Sequence, residues 1–186
     1  EPLKKIPNFE IIGEFDSLRA LSTLYANMYI NRYRNSKHGR NVLFVDIGFQ
    51  YVETLFVNFE WKRSQTISNC LVNLWSDNCS TRIFTDDISK NLHVPFSHAE
   101  RILRSTYNQT LFNKTIVQTL KDLINDTITA SKQPIDEVQL LGGGSAYRFM
   151  QSIIADAVNE SFRMNATRYS SEKTKSYLKM QNQKKL

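Results

Sequence analysis

The chain has 186 residues, 41% of them apolar and 11% aromatic, with two cysteines and a formal net charge of +6. This is enough chain for one folded domain with its own core, and too apolar for a disordered one. No apolar run approaches the ~18 residues of a membrane span, and no segment reads as a signal peptide.

The positive excess is local, in "RYRNSKHGR" (32–40) and "SSEKTKSYLKMQNQKKL" (170–186). Neither stretch interleaves aromatics with its charges. They read as a solvated loop and a basic tail or closing helix, so no nucleic-acid partner is expected. Cys70 and Cys79 cannot build a metal site alone, and His38, His93 and His98 lack ligand spacing. The cysteines read as buried thiols, or as a disulfide in an oxidising compartment. Six N-x-S/T sequons start at Asn78, Asn108, Asn113, Asn125, Asn159 and Asn165. They leave two compartments open. One is the secretory pathway, with its endoplasmic reticulum lumen, where the chain would be a glycoprotein; the other is the cytoplasm.

In chain order, "FDSLRALSTLYANMYINRYR" (15–34) predicts a helix, with Leu18, Leu21, Leu24, Tyr25 and Met28 on one face and Asp16 or Ser17 at its start. "NVLFVDIG" (41–48) is a continuous apolar run, the pattern of a strand buried on both faces. "YVETLFVNFEW" (51–61) alternates and predicts the second arm of a hairpin turning at Gly48–Gln50. "TISNCLVNLWS" (66–76) predicts a third, antiparallel strand. Residues 80–94 predict a short helix or turn, with Asp86 and Asp87 opening a helix at 86–92. Residues 95–132 predict one long helical region, with Ser97 and Glu100 as a capping box and Pro134 beyond its end. "IDEVQLL" predicts the last strand, followed by a glycine turn and a helix. The order predicts an α/β fold with a mixed sheet flanked by helices.

Two loops carry the residues suited to chemistry. "VDIGFQYVETLFV" places Asp46 at a strand end beside a hairpin turn. Such a turn can form an anion nest, and such a carboxylate can hold a hydrated Mg²⁺; a plain hairpin with a surface Asp is the alternative. "LLGGGSAYRFMQ" runs from a strand through Gly142, Gly143 and Gly144 into a helix, with Ser145 as the expected N-cap. Glycine permits close approach of a ligand to backbone, and a helix start supplies N–H donors and a positive dipole end. It matches neither a dinucleotide fingerprint nor a Walker loop, and a ligand-free turn remains the alternative.

Together, "NVLFVDIG…VETLFV" and "VQLLGGGSAYRFMQSI" resemble the phosphate and adenosine loops of the actin-like (ribonuclease H-like) ATPase superfamily. The closest resemblance is to the second lobe of the nucleotide-binding domain of the 70-kDa heat-shock chaperones, and it spans nearly all of residues 1–186 as a single lobe. The resemblance implies ATP or ADP with Mg as cofactor. It implies a cofactor site of Asp46, Gly48, Gly142, Gly143, Gly144 and Ser145, with Asp46 toward the metal. Glu100 and Arg104 match two members of the family's nucleotide-contacting helix, while Leu103 replaces its Lys.

The departures shape the expected function. The family's phosphate loop reads D-L-G-G-G-T-F-D; here Phe49, Gln50 and Tyr51 replace Gly, Gly and Thr. Bulky side chains then stand where backbone must approach phosphate. In the adenosine loop Ala146 or Tyr147 takes the place of the family's Arg, with Arg148 beyond. The first phosphate loop and the catalytic lysine belong to a first lobe that this chain lacks, and the outer subdomain looks reduced. The resemblance therefore implies a degenerate, pseudo-ATPase module retained for protein interaction with a co-chaperone or client, not catalytic by itself. The alternative is the ATP-binding half of an active chaperone ATPase completed by a first lobe.

Overall fold

The computed structural model describes residues 20, 23–27, 39–62 and 65–161. Among these, four strands form one mixed sheet in the order β3-β2-β1-β4. They are β1 (Arg40–Ile47), β2 (Val52–Lys62), β3 (Gln65–Ser76) and β4 (Glu137–Leu141). β1 pairs antiparallel with β2 and parallel with β4, and β2 pairs antiparallel with β3. The helices are α1 (Thr81–Leu92), α2 (Phe96–Ser105), α3 (Lys114–Ser131) and α4, residues 148–161.

The apolar run of β1 follows from its central place. Leu43, Val45 and Ile47 face the larger core with Phe84, Leu103, Ile124 and Phe149. Val42 and Phe44 face a smaller core with Leu55, Val57 and Phe59, where Tyr25 and Ala26 pack. A strand covered on both faces has no reason to alternate. Tyr25 sits edge-on to Phe44 at 5.5 Å, and its hydroxyl donates to Glu137 at 2.8 Å. Phe84, Phe112 and Phe149, with centroids 4.5–5.3 Å apart, tie α1, the α2–α3 connection and α4 into one apolar centre. Burying each such ring stabilises the fold by roughly 1.5–3 kcal/mol.

Several expectations change. The region 80–94 forms a full helix from Thr81, so Asp86 and Asp87 lie inside it and do not open it. Asp86 instead pairs with Arg82 at 3.7 Å, and Asp87 accepts the Asn113 N–H at 2.8 Å. The helical region 95–132 is two helices joined through a 3-10 turn, Gln109–Leu111. The break is built by asparagine: Asn108 accepts the Thr110 N–H, and Asn113 caps α3 by accepting the Thr115 N–H, each at 2.9 Å. The Ser97–Glu100 capping box does not form, because α2 starts two residues earlier, with Pro95 in the N-cap place, and Glu100 turns to Arg104. α3 ends before Pro134, on Lys132 in the left-handed region (φ 55°). Cys70 is exposed and Cys79 buried, so they are not two buried thiols, and neither forms a disulfide.

The expected helix at 15–34 falls largely outside the described residues, although residue 20 and residues 23–27 are helical. Most of the basic stretch 32–40, and all of the tail 170–186, also lie outside them. No helix among the described residues is long and apolar enough to cross a membrane.

Candidate functional site

Parallel pairing of β1 with β4 brings the carboxyl ends of both strands to one end of the sheet, with Asp46 in register with Leu141. In open α/β sheets, ligand crevices form at such strand ends. The two loops singled out in the sequence are therefore neighbours. Gly142 has φ +74°, and a Cβ there would come within 2.3 Å of the Asp46 carboxylate and 2.6 Å of the Ile47 carbonyl oxygen. Only glycine permits both that backbone and that approach. A Cβ on buried Gly144 would strike Ile47 and Thr81 side chains at 2.3 and 2.7 Å, so this glycine lets the turn close onto β1 and α1. Gly143 has nothing within 4 Å of its Cβ position and marks the open side of the turn.

Asp46 is half-buried. Loss of solvent raises its carboxyl pKa from the ordinary aspartate value. A nearby cation would favour the carboxylate and offset that penalty. Among the described residues no three His, Cys, Asp or Glu side chains cluster as metal ligands. One carboxylate suits a hydrated Mg²⁺ whose other ligands are phosphate oxygens and water, not a metal held by protein alone.

The β1–β2 turn is closed on itself and tied to α1. The Gly48 N–H donates to the Tyr51 carbonyl at 2.9 Å. The Gly48 carbonyl accepts the Thr81 N–H at 3.2 Å and the Thr81 hydroxyl at 3.0 Å. The Phe49 carbonyl accepts the Arg82 N–H at 3.1 Å. Two orphan donors of the α1 start are thus taken by the turn. Phe49 and Tyr51 point outward, 55% and 44% exposed, and Phe49 meets Phe96 of α2 edge-on at 6.2 Å.

The glycine turn continues as a 3-10 segment, Gly143–Ala146, before α4 starts at 148. Ser145 is therefore not the N-cap of α4. Its N–H and hydroxyl both reach back to the Gly142 carbonyl, at 3.2 and 2.7 Å. Its own carbonyl accepts from the Gln151 amide at 2.8 Å.

Glu100 and Arg104 form an ion pair on α2 at 2.6 Å. The Arg104 guanidinium is held charged by Glu100 first and then by Tyr147, which follows the glycine turn. The structure thus brings Arg104 to the glycine-turn side of the sheet end, while Leu103 points fully into the core. Sequence reasoning missed Tyr107 and Phe96. Arg148 lies over the Tyr107 ring at 4.7 Å, a cation–π contact between the α2–α3 connection and the start of α4. Spacing gave no signal for Tyr107, because the break after α2 was not visible.

No known family model matches the chain, and no curated protein does. Among solved structures it is similar to the "PilM-PilN type IV pilus biogenesis complex", with a TM-score of 0.54 at 20% identity. The likeness covers 75% of this chain and 39% of that one, so this chain spans about two fifths of its length. The likeness is one of fold alone, and it shows no link to heat-shock chaperones.

Proposed function

We propose that this chain is a degenerate nucleotide-binding module of the actin-like fold, akin to the second lobe of a heat-shock chaperone and retained for protein interaction. The observation that carries it is the closed β1–β2 turn. Gly48 donates its N–H to the Tyr51 carbonyl, the carbonyls of Gly48 and Phe49 hold the first turn of α1, and Phe49 and Tyr51 stand exposed on the turn. Bare, outward N–H groups are what an anion needs from such a turn. Outward aromatic rings serve protein contacts instead. The PilM neighbour is named in a complex with PilN, which favours a protein partner, in the heat-shock reading a co-chaperone or client.

In this reading residues 1–186 form one lobe. The step from β3, ending at Ser76, to α1, starting at Thr81, leaves no room there for an outer subdomain. The module acts without catalysis of its own. Its sequons admit a secretory-pathway glycoprotein as well as a cytoplasmic protein.

A second reading keeps nucleotide binding and rests on a different observation. Asp46 lies against Gly142, so the carboxylate for Mg²⁺ and the turn for adenosine share one sheet end. Here Gly142, Gly143, Gly144 and Ser145 would hug the adenosine of ATP or ADP, Glu100 and Arg104 would flank it, and Asp46 and Gly48 would face Mg²⁺ and phosphate. Phosphoryl transfer needs positioning from both sides of the cleft, so a first lobe would supply the rest. Calorimetric titration with Mg-ATP separates the two. The pseudo-ATPase reading expects no saturable heat from this chain or from a longer one carrying a first lobe. Micromolar binding by either sinks it.

A further inference from the structure

Leu103 on α2 and Phe112 before α3 are buried anchors, and between them residues 104–111 bury no side chain. The middle of this stretch, Tyr107–Leu111, lies along one face of α4. Arg148, Ser152 and Asp156 recur there at every fourth residue, so their side chains share that face. The Arg148 guanidinium stands over the Tyr107 ring at 4.7 Å. The Gln109 amide donates to the Ser152 hydroxyl at 2.9 Å and to the Asp156 carboxylate at 3.2 Å. These contacts face solvent, where water competes for each of them, so each holds weakly. The backbone of the stretch, by contrast, is satisfied from within. The Asn108 N–H donates to the Thr106 hydroxyl at 3.2 Å, and the Thr110 N–H to the Asn108 side chain at 2.9 Å. The Leu111 and Phe112 N–H groups donate to the Asn108 and Gln109 carbonyls, at 3.4 and 3.2 Å. Leaving α4 would orphan none of these N–H groups. Thr106 (φ −80°, ψ 144°) and Phe112 (φ −102°, ψ 151°) are extended residues at its entry and exit, the backbone positions where a hinge belongs.

We infer that residues 107–111 form a strap that opens and closes over α4 as a preformed unit, while α2, α3 and α4 stay folded. Closing it costs little backbone order, because its own turn is already built. Opening it breaks only the exposed side-chain contacts to Arg148, Ser152 and Asp156. Segments held in this way, with few buried apolar contacts, open well below the free energy of global unfolding. Closed, the strap commits the Arg148 guanidinium to the Tyr107 ring. Open, it frees that cation and uncovers the Ser152–Asp156 face. Arg148 is the second residue after the glycine-turn segment Gly143–Ala146, so the strap governs the charged side chain that leads out of that turn. The inference does not rest on the nucleotide reading, since none of these contacts involves Asp46 or a glycine.

NMR relaxation dispersion on the intact chain tests it. The backbone amides of residues 107–111 and the Arg148 side-chain Nε–H should share one exchange process on the microsecond-to-millisecond scale, with the α3 amides unaffected. A Tyr107→Ala, Gln109→Ala double variant removes the cation–π contact and both amide hydrogen bonds. It should raise the open population about tenfold, with an unchanged circular dichroism spectrum. No exchange at these positions in either the wild-type chain or the double variant overturns the inference. So does an open population that the double variant leaves unchanged. Exchange that spreads through α3 would mean that the domain itself unfolds, and would also overturn it.

Discussion

Gly142 is where fold and candidate site meet in one residue. Its φ of +74° and the 2.3 Å approach of a would-be Cβ to Asp46 require glycine twice over. Gly142→Ala should cost about 2 kcal/mol or more, from backbone strain and displacement of Asp46, read as a lower urea midpoint at unchanged slope. Gly143→Ala should stay within about 0.5 kcal/mol, since nothing stands within 4 Å. Equal losses at both positions would contradict the placement of the turn. Asp46 gives a pH test with a definite sign. Its folded pKa is raised by desolvation, so the folded state binds its proton more readily than the unfolded chain does. The charged form therefore weakens the fold above the folded pKa, and the penalty fades as pH falls through it. Asp46→Asn should be more stable than wild type at neutral pH, with the gain shrinking on acidification toward the ordinary carboxylate range. A gain that grows on acidification would contradict the burial of Asp46.

At the scale of elements, side-chain hydrogen bonds decide where helices start and stop. Asn113 caps α3 by accepting the Thr115 N–H, and Asn113→Ala should cost about 1 kcal/mol in thermal or urea unfolding. This pairing of an Asn with a Thr two residues on is also a sequon, so at Asn108 and Asn113 a capping role accounts for the pattern without a glycan. The strands were legible because β1 is buried on both faces and β2 alternates. The break near residue 107 was not: apolar residues recur at helical spacing through 102–124, and an asparagine cap looks like any other asparagine in an Asn-rich chain. α1 was read too short because its buried face, Thr81, Phe84, Thr85 and Ile88, is half hydroxyl and carries a weak apolar signal. Phe84 still anchors it, touching Phe112 and Phe149. Phe84→Ala should cost about 3–5 kcal/mol, enough to unfold a marginal domain, as a shift in the denaturation midpoint would show.

At the scale of the whole molecule, the adjacency of the two glycine-bearing loops was legible only through their joint resemblance to an actin-like cleft. Neither spacing nor composition would have placed residue 46 beside residue 142. The closure of the β1–β2 turn onto α1 was not legible at all, since Thr81 lies 33 residues from the Gly48 carbonyl that it binds. That contact is a product of tertiary packing, and it fastens the β1–β2 turn to the start of α1. The central claim of the proposed reading is that the glycine turn at Gly142 is kept as architecture while the β1–β2 turn, with Phe49 and Tyr51 exposed on it, no longer takes phosphate. Isothermal titration of the intact chain with Mg-ATP tests it most directly. The account predicts no saturable heat in the micromolar range; a micromolar dissociation constant with one site per chain would contradict it.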